Sequence, residues 1–404
     1  MSELEQPDAA PDWAAERKAS RDQLRRRTIA HINNKTTDLS EGPMLVEPGA
    51  YTDPARHEEE KRILFRERPV LAALSGDLPE PGSTFLFDEL GPAILLTRNK
   101  EGKVNAFLNM CMHRASKLVT EPVKKNRMSC KFHGWTFDLD GKLVGVPGES
   151  GFAGMRREER NLIPVPVAEW NGLIFVRGVP NGEPIDVEAH LGPAFARELA
   201  HLELGNAQPM KTTRIDVDSN WKYAMDTYGE GYHFGTLHPS SIGALAFSNI
   251  MSYDNYGPNH RLAMPRAEFL EYADKPEQEW PETAYCGLYY IFPNVVINVN
   301  STSDGKQFYG ISRVFPRENV GQATTLITTY RPGHLADDAD TASWTTIHDF
   351  IHKVVSTEDY SVSEAGQRNM QYAPPGFQPM LGANELALQN IHRHISALLK
   401  QGAR

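Results

Sequence analysis

Residues 111–135 read CMHRASKLVTEPVKKNRMSCKFHGW and contain two short pairs of metal-binding side chains. Cys111 and His113 form a C-x-H pair, and Cys130 and His133 form a C-x-x-H pair after 16 intervening residues. Because each pair follows a short β-like run, we expect two loop tips to present four ligands to one inorganic centre. Zinc sites more often pair Cys with Cys and His with His. The mixed pairs favour a cluster with two chemically distinct irons over a zinc site.

The two pairs and the following GWTFDLDGKLVGVP at residues 134–147 resemble the [2Fe-2S] motif of the Rieske oxygenases. This resemblance implies that the two cysteines hold one iron and the two histidines hold the other. It also implies that Arg114 and Trp135 pack around the cluster. Rieske proteins of the respiratory chain carry an additional cysteine in each loop. Since both loops here have only their ligand cysteine, the oxygenase type is favoured.

Composition excludes several other classes of protein. The chain has 404 residues, with 42 Lys and Arg against 52 Asp and Glu, and this net charge of −10 opposes binding to nucleic acid or to an anionic membrane. No apolar run is long enough for a membrane span, and the first residues do not resemble a signal peptide, so we expect a cytoplasmic protein. Three cysteines are too few for a disulfide scaffold, and we expect the third, Cys286, to be a buried inert thiol. No nucleotide-binding loop motif occurs.

The pattern of polar and apolar residues along the chain predicts an N-terminal arm and two domains. Residues 1–44 form a polar arm with a basic, helix-forming stretch at 16–27, which we expect to be solvated. A helix should start at Asp53, where a capping side chain precedes Pro54. We expect an α+β fold. By resemblance, it comprises a β-sandwich-like Rieske domain at 45–185 and a catalytic domain at 186–404 with an antiparallel β-sheet covered by helices, of the helix-grip or START-like type. In the second domain, we predict strands near 211–217, 284–300, 307–315 and 323–331, and helices over 344–355 and 388–398.

A second group of metal-binding side chains lies in NWKYAMDTYGEGYHFGTLH at residues 220–238. We expect this segment to be one helix, with its cap at Ser219 or Asn220. Asp226, Glu230 and His233 stand at i, i+4 and i+7 and therefore share one face of this helix. His238 follows at the end of the segment. Two imidazoles and one carboxylate make the facial triad of oxygen-activating Fe(II) sites.

This segment resembles the Rieske oxygenase signature NWKxxxENxxExYHxxxxH, which implies that His233 and His238 bind the catalytic iron. The later stretch STEDYSVSEAGQ at residues 356–367 resembles the EDxxxxExxQ stretch of the family. On that match, Asp359 is the third ligand and Glu358 is the alternative.

The resemblance also gives Glu230 a role, as the acidic residue that hydrogen-bonds histidines of both metal centres across a subunit boundary and conducts electrons between them. Where the family usually has Glu-Asn, this chain has Asp226 and Thr227, and Asp226 remains a candidate catalytic residue. The glycines at 229, 231 and 235 predict a distorted or mobile ligand helix.

A competing metal site can be drawn from spacing alone. His348 and His352 stand at i and i+4, and Asp359 lies on the same face of their predicted helix. The NWK context favours His233 and His238 over this rival pair.

The resemblance implies a terminal oxygenase that uses O2, a [2Fe-2S] cluster and a mononuclear Fe(II). Its electrons come from NAD(P)H through a separate flavin reductase, with or without a ferredoxin. It further implies a homotrimer, or a multiple of one, in which a neighbour's cluster approaches each iron. An aromatic-lined site suits an apolar substrate, and we favour an aromatic compound and a role in aromatic degradation. Residues predicted to line the pocket are Met225, Tyr228, Phe234, Tyr290, Phe292 and Asn298.

Hydroxylation, cis-dihydroxylation and O- or N-demethylation are all open outcomes. A quaternary-amine monooxygenase, acting on carnitine- or choline-like compounds, is the alternative within the family. Outside that class stand a Rieske electron carrier without catalysis and a zinc-binding interaction protein.

Overall fold

The computed structural model describes residues 13–280 and 285–402. The α-helices are α1 (Trp13–Asn34), α2 (Gly49–Thr52), α3 (Pro54–Glu60), α4 (Val187–Leu191), α5 (Pro193–Ala200), α6 (Trp221–Asp226), α7 (Phe234–Leu237), α8 (Ala342–Val354), α9 (Tyr360–Met370) and α10 (Leu386–Gly402). Two π-helical turns follow α3 and α8, at Lys61–Arg66 and Val355–Asp359. The side chain of Cys286, predicted to be an inert buried thiol, lies outside the described part of the structure.

The amino-terminal half is built from three small antiparallel sheets. Their strands are β2 (Val70–Leu74), β3 (Thr84–Phe87), β4 (Ile94–Arg98), β5 (Val104–Leu108), β6 (Arg127–Ser129), β7 (Thr136–Asp138), β8 (Leu143–Gly145), β9 (Val167–Trp170) and β10 (Leu173–Val176). The sheet orders are β2-β10-β9, β3-β4-β5 and β6-β7-β8. In the first sheet Val70 lies opposite Val176, so the chain enters and leaves this β domain at adjacent points. The two cysteine-histidine pairs lie in loops of this domain, after β5 and between β6 and β7.

The second half contains one seven-stranded antiparallel sheet of order β11-β17-β16-β15-β14-β13-β12. Its strands are β11 (Gln208–Val217), β12 (Ser252–Tyr256), β13 (Asn259–Pro265), β14 (Tyr285–Ile291), β15 (Val295–Ser301), β16 (Gln307–Pro316) and β17 (Ala323–Arg331). The strands predicted from sequence correspond to β11 and β14 to β17, whereas β12 and β13 were not predicted. The α+β architecture is confirmed, with a β domain followed by a helix-covered antiparallel sheet.

Helices pack on both faces of the large sheet, so β13, β16 and β17 are mostly buried, whereas the edge strands β11 and β12 are partly exposed. On one face Trp221, Val355 and Ile391, from α6, the second π-turn and α10, share a core with Val314 of β16. The opposite face packs against α4, α5 and the β2-β10-β9 sheet. Because side chains alternate along β16, this strand contributes to both cores, which joins the two halves of the chain.

The basic stretch near the amino terminus is a packed helix, so the interpretation of a solvated arm is wrong. Helix α1 buries Leu24, Ile29 and Ile32 to 5% exposure or less and contacts β12 and β13. Arg27 reaches Asp254 of β12 at 2.8 Å between Nη2 and Oδ1. The basic residues that suggested a solvated arm therefore pair in part with acidic groups of the catalytic sheet. Residues 1–12 of the predicted arm lie outside the described residues.

Residues between α1 and the β domain pack on the catalytic helices and also reach the β domain, where Arg66 Nε donates to the carbonyl of Leu90 at 3.2 Å. Asp53 caps α3 as predicted, since its side chain accepts from the backbone N–H of Ala55 at 2.8 Å. Glu60, at the end of α3, is fully buried and forms an ion pair with Lys222 of α6. Trp221 Nε1 donates to the same carboxylate at 2.9 Å. The predicted domain boundaries at residues 45 and 186 stay predictions.

A small two-stranded antiparallel sheet joins segments that are distant in sequence. In it β1 (Met44–Leu45) pairs with β18 (Met380–Leu381). Among the described helices, none has the length and apolar character to cross a lipid bilayer.

Candidate metal centres

The two loops with cysteine-histidine pairs have the same backbone hydrogen bonds. The N–H of Cys111 donates to the carbonyl of Ser116, and the N–H of Cys130 donates to the carbonyl of Trp135, both at 2.8 Å. The fourth residue after each cysteine has a positive φ, 58° at Ala115 and 70° at Gly134, and returns a hydrogen bond to the cysteine carbonyl. Two matching loops can therefore present equivalent ligand positions from opposite sides.

The four predicted cluster ligands lie together with the thiols inside and the imidazoles outside. Cys111 and Cys130 are buried, and their side chains are within hydrogen-bond reach of each other. The rings of His113 and His133 lie 4.7 Å apart between centroids, and His133 is exposed. Such a set fits a cluster in which two thiolates hold an inner iron and two imidazoles hold an outer one.

The backbone favours a thiolate at the second cysteine. Although burial opposes the charge, hydrogen bonds from the N–H groups of Phe132 and His133 lower the pKa of Cys130, whereas burial raises the pKa of Cys111. Trp135 is buried and stacks on His113 at 5.0 Å between centroids.

The aromatic and cationic groups around these loops differ in exposure. Trp135 packs against the cluster loops as predicted. Arg114 is exposed and its guanidinium lies 5.2 Å from the ring centroid of exposed Phe132 in the second cluster loop, and its predicted packing around the cluster stays a prediction.

The second centre brings together the three predicted iron ligands. One nitrogen or oxygen atom from each of His233, His238 and Asp359 lies within 4.8 Å of the others, and this is the single such group found among the described residues. Asp359 Oδ1 is 3.1 Å from His238 Nε2 and 3.5 Å from His233 Nε2. Two neutral imidazoles and a carboxylate facing one point fit the ligand set of a non-haem Fe(II) site with open positions.

Each histidine of this triad uses its other nitrogen to bind a carboxylate. His238 Nδ1 donates to Glu358 Oε2 at 2.7 Å, and Ser241 Oγ donates to the same oxygen. His233 Nδ1 donates to Glu230. Glu358, the alternative ligand, therefore lies behind a histidine, where it sets the tautomer that leaves Nε2 available for a metal.

Acidic neighbours shift both imidazoles toward the charged form. Burial works against protonation, but hydrogen bonds to Asp359 and Glu230 raise the pKa of His233 to about 9. The pKa of His238 is raised for the same reason, through Asp359 and Glu358. A metal cation held by His233, His238 and Asp359 would replace the protons that these imidazoles otherwise bind.

The segment that we expected to be one helix is broken. Asn220 caps α6, since its side chain accepts from the N–H of Lys222 at 3.0 Å, but α6 ends at Asp226 and α7 starts only at Phe234. In the intervening turn, the Glu230 carboxylate accepts from the backbone N–H of His233 at 3.2 Å. A carboxylate that binds turn N–H groups replaces the helical hydrogen bonds there, so the ligand segment is held as a turn.

Asp359 also lies on distorted helix. It ends the π-helical turn Val355–Asp359 that joins α8 to α9. An insertion of this kind rotates the following residues relative to a regular helix, and such turns are frequent at functional sites. Here it brings Glu358 and Asp359 to adjacent positions around His238.

The predicted catalytic residue Asp226 lies in a separate buried network. Its carboxylate accepts from Tyr51 Oη at 2.8 Å and lies 3.1 Å from His392 Nε2. Burial and the nearby carboxylate raise the pKa of Tyr51, which keeps the phenol neutral as a donor. Among the described residues no hydrogen bond joins Asp226 to the triad, although Asp226, His233 and Asp359 line one groove, and its catalytic role stays a prediction.

The rival histidine pair does not form a metal site among the described residues. His348 is buried with both nitrogens within hydrogen-bond distance of threonines, Nε2 at 2.7 Å from Thr213 Oγ1 and Nδ1 at 3.0 Å from Thr329 Oγ1. Burial lowers the pKa of His348 to about 4. This side chain is a satisfied core histidine between α8 and the sheet.

A cavity of about 560 Å³, which we call the substrate cavity, opens beside the triad. Three of the predicted pocket residues line it, namely Tyr228, Phe234 and Asn298. The prediction was wrong for Phe292, which packs in the core, and for Met225 and Tyr290, which border a separate void of about 10 Å³. The cavity-lining residues that were not predicted include Arg266, Leu288, Phe308, Ile347, Phe350 and Ile351.

The apolar stripe of α8 was the available signal for the missed residues. In the helix predicted over 344–355, Ile347 and Ile351 are four residues apart and share one apolar face, and in the structure this face lines the cavity. An inward-facing residue of a cavity wall and one of a packed core have the same periodicity.

On the other side of the triad, a groove of about 630 Å³ reaches Glu230 and His233. Its wall includes four exposed apolar side chains, which we call the groove patch: Val362, Tyr372, Phe377 and Met380.

Residues 68–165 match the sequence family described as the Rieske [2Fe-2S] domain, and residues 204–401 match the ring hydroxylating alpha subunit (catalytic domain). The chain belongs to the Rieske oxygenase alpha subunits. It is therefore the terminal oxygenase of such a system, with a [2Fe-2S] cluster, a mononuclear iron and O2 as co-substrate, supplied with electrons from a reductase. Alpha subunits of this family form oligomers.

The proteins to which this chain is similar are named for different substrates. The carnitine monooxygenase oxygenase subunit of Acinetobacter baumannii is 26% identical over 329 residues, which are 80% of this chain and 84% of that protein. A quaternary ammonium Rieske monooxygenase in complex with L-carnitine has a TM-score of 0.74 at 20% identity and covers 89% of this chain and 96% of its own. Naphthalene 1,2-dioxygenase from Rhodococcus sp. has a TM-score of 0.69 at 18% identity and covers 94% and 98%. These two structures share the fold of this Rieske oxygenase.

Proposed function

We propose that this Rieske oxygenase hydroxylates the apolar part of a small organic substrate, and we favour an aromatic compound. The observation that carries the proposal is the substrate cavity, since His233, His238 and Asp359 all line it together with apolar side chains. The volume of about 560 Å³ is in the range of small-molecule sites. Phe234, Phe308 and Leu288 supply apolar surface next to the triad.

Held by the two cysteine-histidine loops and by the triad, a [2Fe-2S] cluster and an iron would supply one-electron transfer and the activation of O2. The residues of the chain do the rest. Glu230 and Glu358 fix the orientation of the two imidazoles through Nδ1. The apolar wall excludes water and holds a substrate face against the triad, which favours reaction with the bound compound over unproductive release of reduced oxygen.

Quaternary amines form the second candidate substrate class. The observation that favours them is the set of curated relatives, which includes carnitine, choline and glycine betaine monooxygenases at 26 to 31% identity. The aromatic side chains of the substrate cavity can also accept a trimethylammonium group through cation–π contacts. Both classes place an apolar or weakly hydrated group near the triad.

Product analysis tests the proposal. The holoenzyme, supplied with NADH and a reductase, is incubated with aromatic acids, neutral aromatic hydrocarbons, carnitine, glycine betaine and choline, and products are identified by mass spectrometry. We expect a hydroxylated or dihydroxylated aromatic product, and formaldehyde or an aldehyde fragment if an amine is the substrate. NADH-dependent oxygen uptake without any oxygenated product from this panel contradicts the proposal, and the His238→Ala variant is the inactive control.

We further propose that the active oligomer is a homotrimer in which Glu230 of one copy contacts the cluster loops of another. Glu230 lines the groove beside the groove patch, and His133 is exposed beside Phe132 at the tip of the β domain. Exposed Phe132 and the groove patch can bury each other between copies in a closed ring. Within that contact, Glu230 bound to His233 is positioned to accept from a cluster histidine.

The Glu230→Gln variant tests this link. Glutamine keeps the size of the side chain but weakens the charge-assisted bond to His233. We expect turnover to fall by about 100-fold while both metal centres remain, as measured by iron content and by electron paramagnetic resonance of the reduced cluster. Turnover within a factor of two of the parent enzyme contradicts the role.

A further inference from the structure

The substrate cavity contains one strongly basic side chain. Apart from the two histidines of the triad, its charged lining residues are Glu230, Asp359 and Arg266, in the part of the chain that the structure describes. Both carboxylates are already engaged at the triad. Arg266 follows β13 directly and is the only lining residue with a permanent positive charge in that described part.

The Nη2 group of Arg266 is open to a ligand, and the bonds of its Nη1 group are long. Its Nη1 donates only two long bonds of 3.4 Å, to Asn300 Oδ1 and to the carbonyl of Ser301. Its Nε lies 3.2 Å from Glu268, whose side chain is 52% exposed. Among the described residues, none accepts from Nη2. A guanidinium has five donors in a planar fork that matches a carboxylate.

The surroundings of Arg266 are polar, whereas other walls of the cavity are apolar. Asn300, Ser301 and Ser303 line the cavity at the end of β15 and in the hairpin after it. Phe308 and Ile351 line it on β16 and α8. The cavity thus combines an apolar surface with one cationic, hydroxyl-rich region, which suits an amphipathic ligand.

We propose that Arg266 binds a carboxylate of the substrate while the apolar part of the same molecule lies against the triad. This inference rests on the proposed function, because it names a chemical group of that substrate. It predicts which compounds in each class are accepted. Aromatic acids and the zwitterions carnitine and glycine betaine carry a carboxylate, whereas neutral hydrocarbons and choline do not.

The alternative is that Arg266 serves only the surface ion pair with Glu268. An exposed pair of this kind contributes little to stability, so it gives no strong reason for an arginine at this position. Glu268→Gln removes that pair and leaves the guanidinium in place, which makes it the matched control variant.

Binding of paired probes tests the inference. Titration calorimetry on the holoenzyme measures Kd for benzoate against benzamide and for glycine betaine against choline. We expect at least one carboxylate to bind more tightly than its neutral or non-acidic counterpart. In Arg266→Met, that Kd should rise by about 10- to 100-fold, while Kd for the counterpart and binding to Glu268→Gln stay within a factor of three.

Three results overturn the inference: no detectable binding of either carboxylate, no preference over the counterpart, or an equal loss of both in Arg266→Met. Arg266→Lys, which keeps the charge without the fork, serves if the methionine variant does not fold, and an intermediate Kd is then expected. Turnover separates the two proposals. Arg266-dependent binding without any oxygenated product contradicts the proposed function alone, and oxygenated product without a carboxylate preference contradicts this inference alone.

Discussion

At the scale of single residues, the triad depends on the carboxylates behind it. Glu230 and Glu358 occupy the Nδ1 atoms of His233 and His238, so that both Nε2 atoms face Asp359. Without those partners each ring could rotate or change tautomer, and the three ligand atoms would no longer face one metal position.

Iron content separates the triad from the rival histidine pair. His238→Ala removes one of three ligands, so we expect purified protein to lose the mononuclear iron and keep the cluster signal. His352→Ala should retain both, because the described residues place no metal-binding group there. Equal iron loss in both variants contradicts the assignment of the triad.

A buried histidine makes the protein sensitive to acid. His260 stacks on Tyr290 at 4.6 Å between centroids, and its Nδ1 has no hydrogen-bond partner in the described structure. Burial lowers the pKa of His260 to about 3, below the ordinary value of 6.5. Between these pH values the unfolded chain holds a proton that the folded chain lacks. Above pH 6.5 the titration of His260 therefore leaves the free energy of unfolding unchanged. As the pH falls from 6.5 toward 3, this titration lowers the free energy of unfolding.

His260→Phe tests this sensitivity, since phenylalanine keeps the stacking and cannot titrate. From pH 7 to 5, we expect the free energy of unfolding of the parent to fall by up to about 2 kcal/mol more than that of the variant. Urea unfolding at both pH values measures the difference. His352→Phe, at a half-buried position, is the control. If His260→Phe loses as much stability between pH 7 and 5 as the parent does, the role of His260 is contradicted.

The residue scale also shows what spacing alone could not separate. Asp226, Glu230 and His233 were placed on one helical face, yet they have three different partners. Asp226 binds Tyr51 and His392, Glu230 binds the N–H groups of its own turn and His233, and His233 faces the triad. The sequence predicted the polar cluster, but the break after α6 and contacts from distant residues decided the role of each member.

At the scale of elements, tight turns hold the β domain. Asn171 and Gly172 connect β9 to β10 with φ values of 45° and 85°, the two positive angles of a type I′ hairpin. A Cβ on Gly172 would lie 2.3 Å from the backbone of Leu204 and Gly205. This glycine is therefore required both by conformation and by close approach of the next segment.

Gly172→Ala should lower the free energy of unfolding by about 3 kcal/mol or more, since strain and a backbone clash add. Gly102 has a φ of 81° with open space around it, so Gly102→Ala should cost about 1 kcal/mol from strain alone. Thermal or urea unfolding compares the two variants. Equal losses contradict a role for the close approach.

Elements with a regular pattern were predictable, and irregular ones were not. The predicted span of β17 agrees with the structure because its apolar and threonine residues give a clear strand pattern. The π-turn before Tyr360 and the break after Asp226 leave no such pattern, because each arises from contacts made by the folded chain. Helix α1 was predicted as a helix, but its packing depends on acidic partners more than 200 residues away.

At the scale of the whole molecule, the groove patch is an exposed apolar surface next to the triad. The double variant Tyr372→Asp/Met380→Asp places charge on two side chains that are 86% and 64% exposed. If the patch joins copies, light scattering should show a shift from trimer toward monomer, with a loss of turnover. Leu270→Asp, at a side chain that is 61% exposed elsewhere, should leave the oligomer intact. An unchanged mass for the double variant contradicts the proposed interface.

The paired ends of the β domain have a practical consequence. Val70 and Val176 are partners on neighbouring strands, so the chain crosses into and out of the cluster-bearing unit at a single seam. Exchange of this unit involves a single pair of neighbouring chain connections, but the replacement must also match the cores that the β2-β10-β9 sheet shares with the large sheet. Chimaeras in which another oxygenase supplies the segment equivalent to residues 70–176 would combine the cluster-bearing β domain of one protein with the substrate cavity of another.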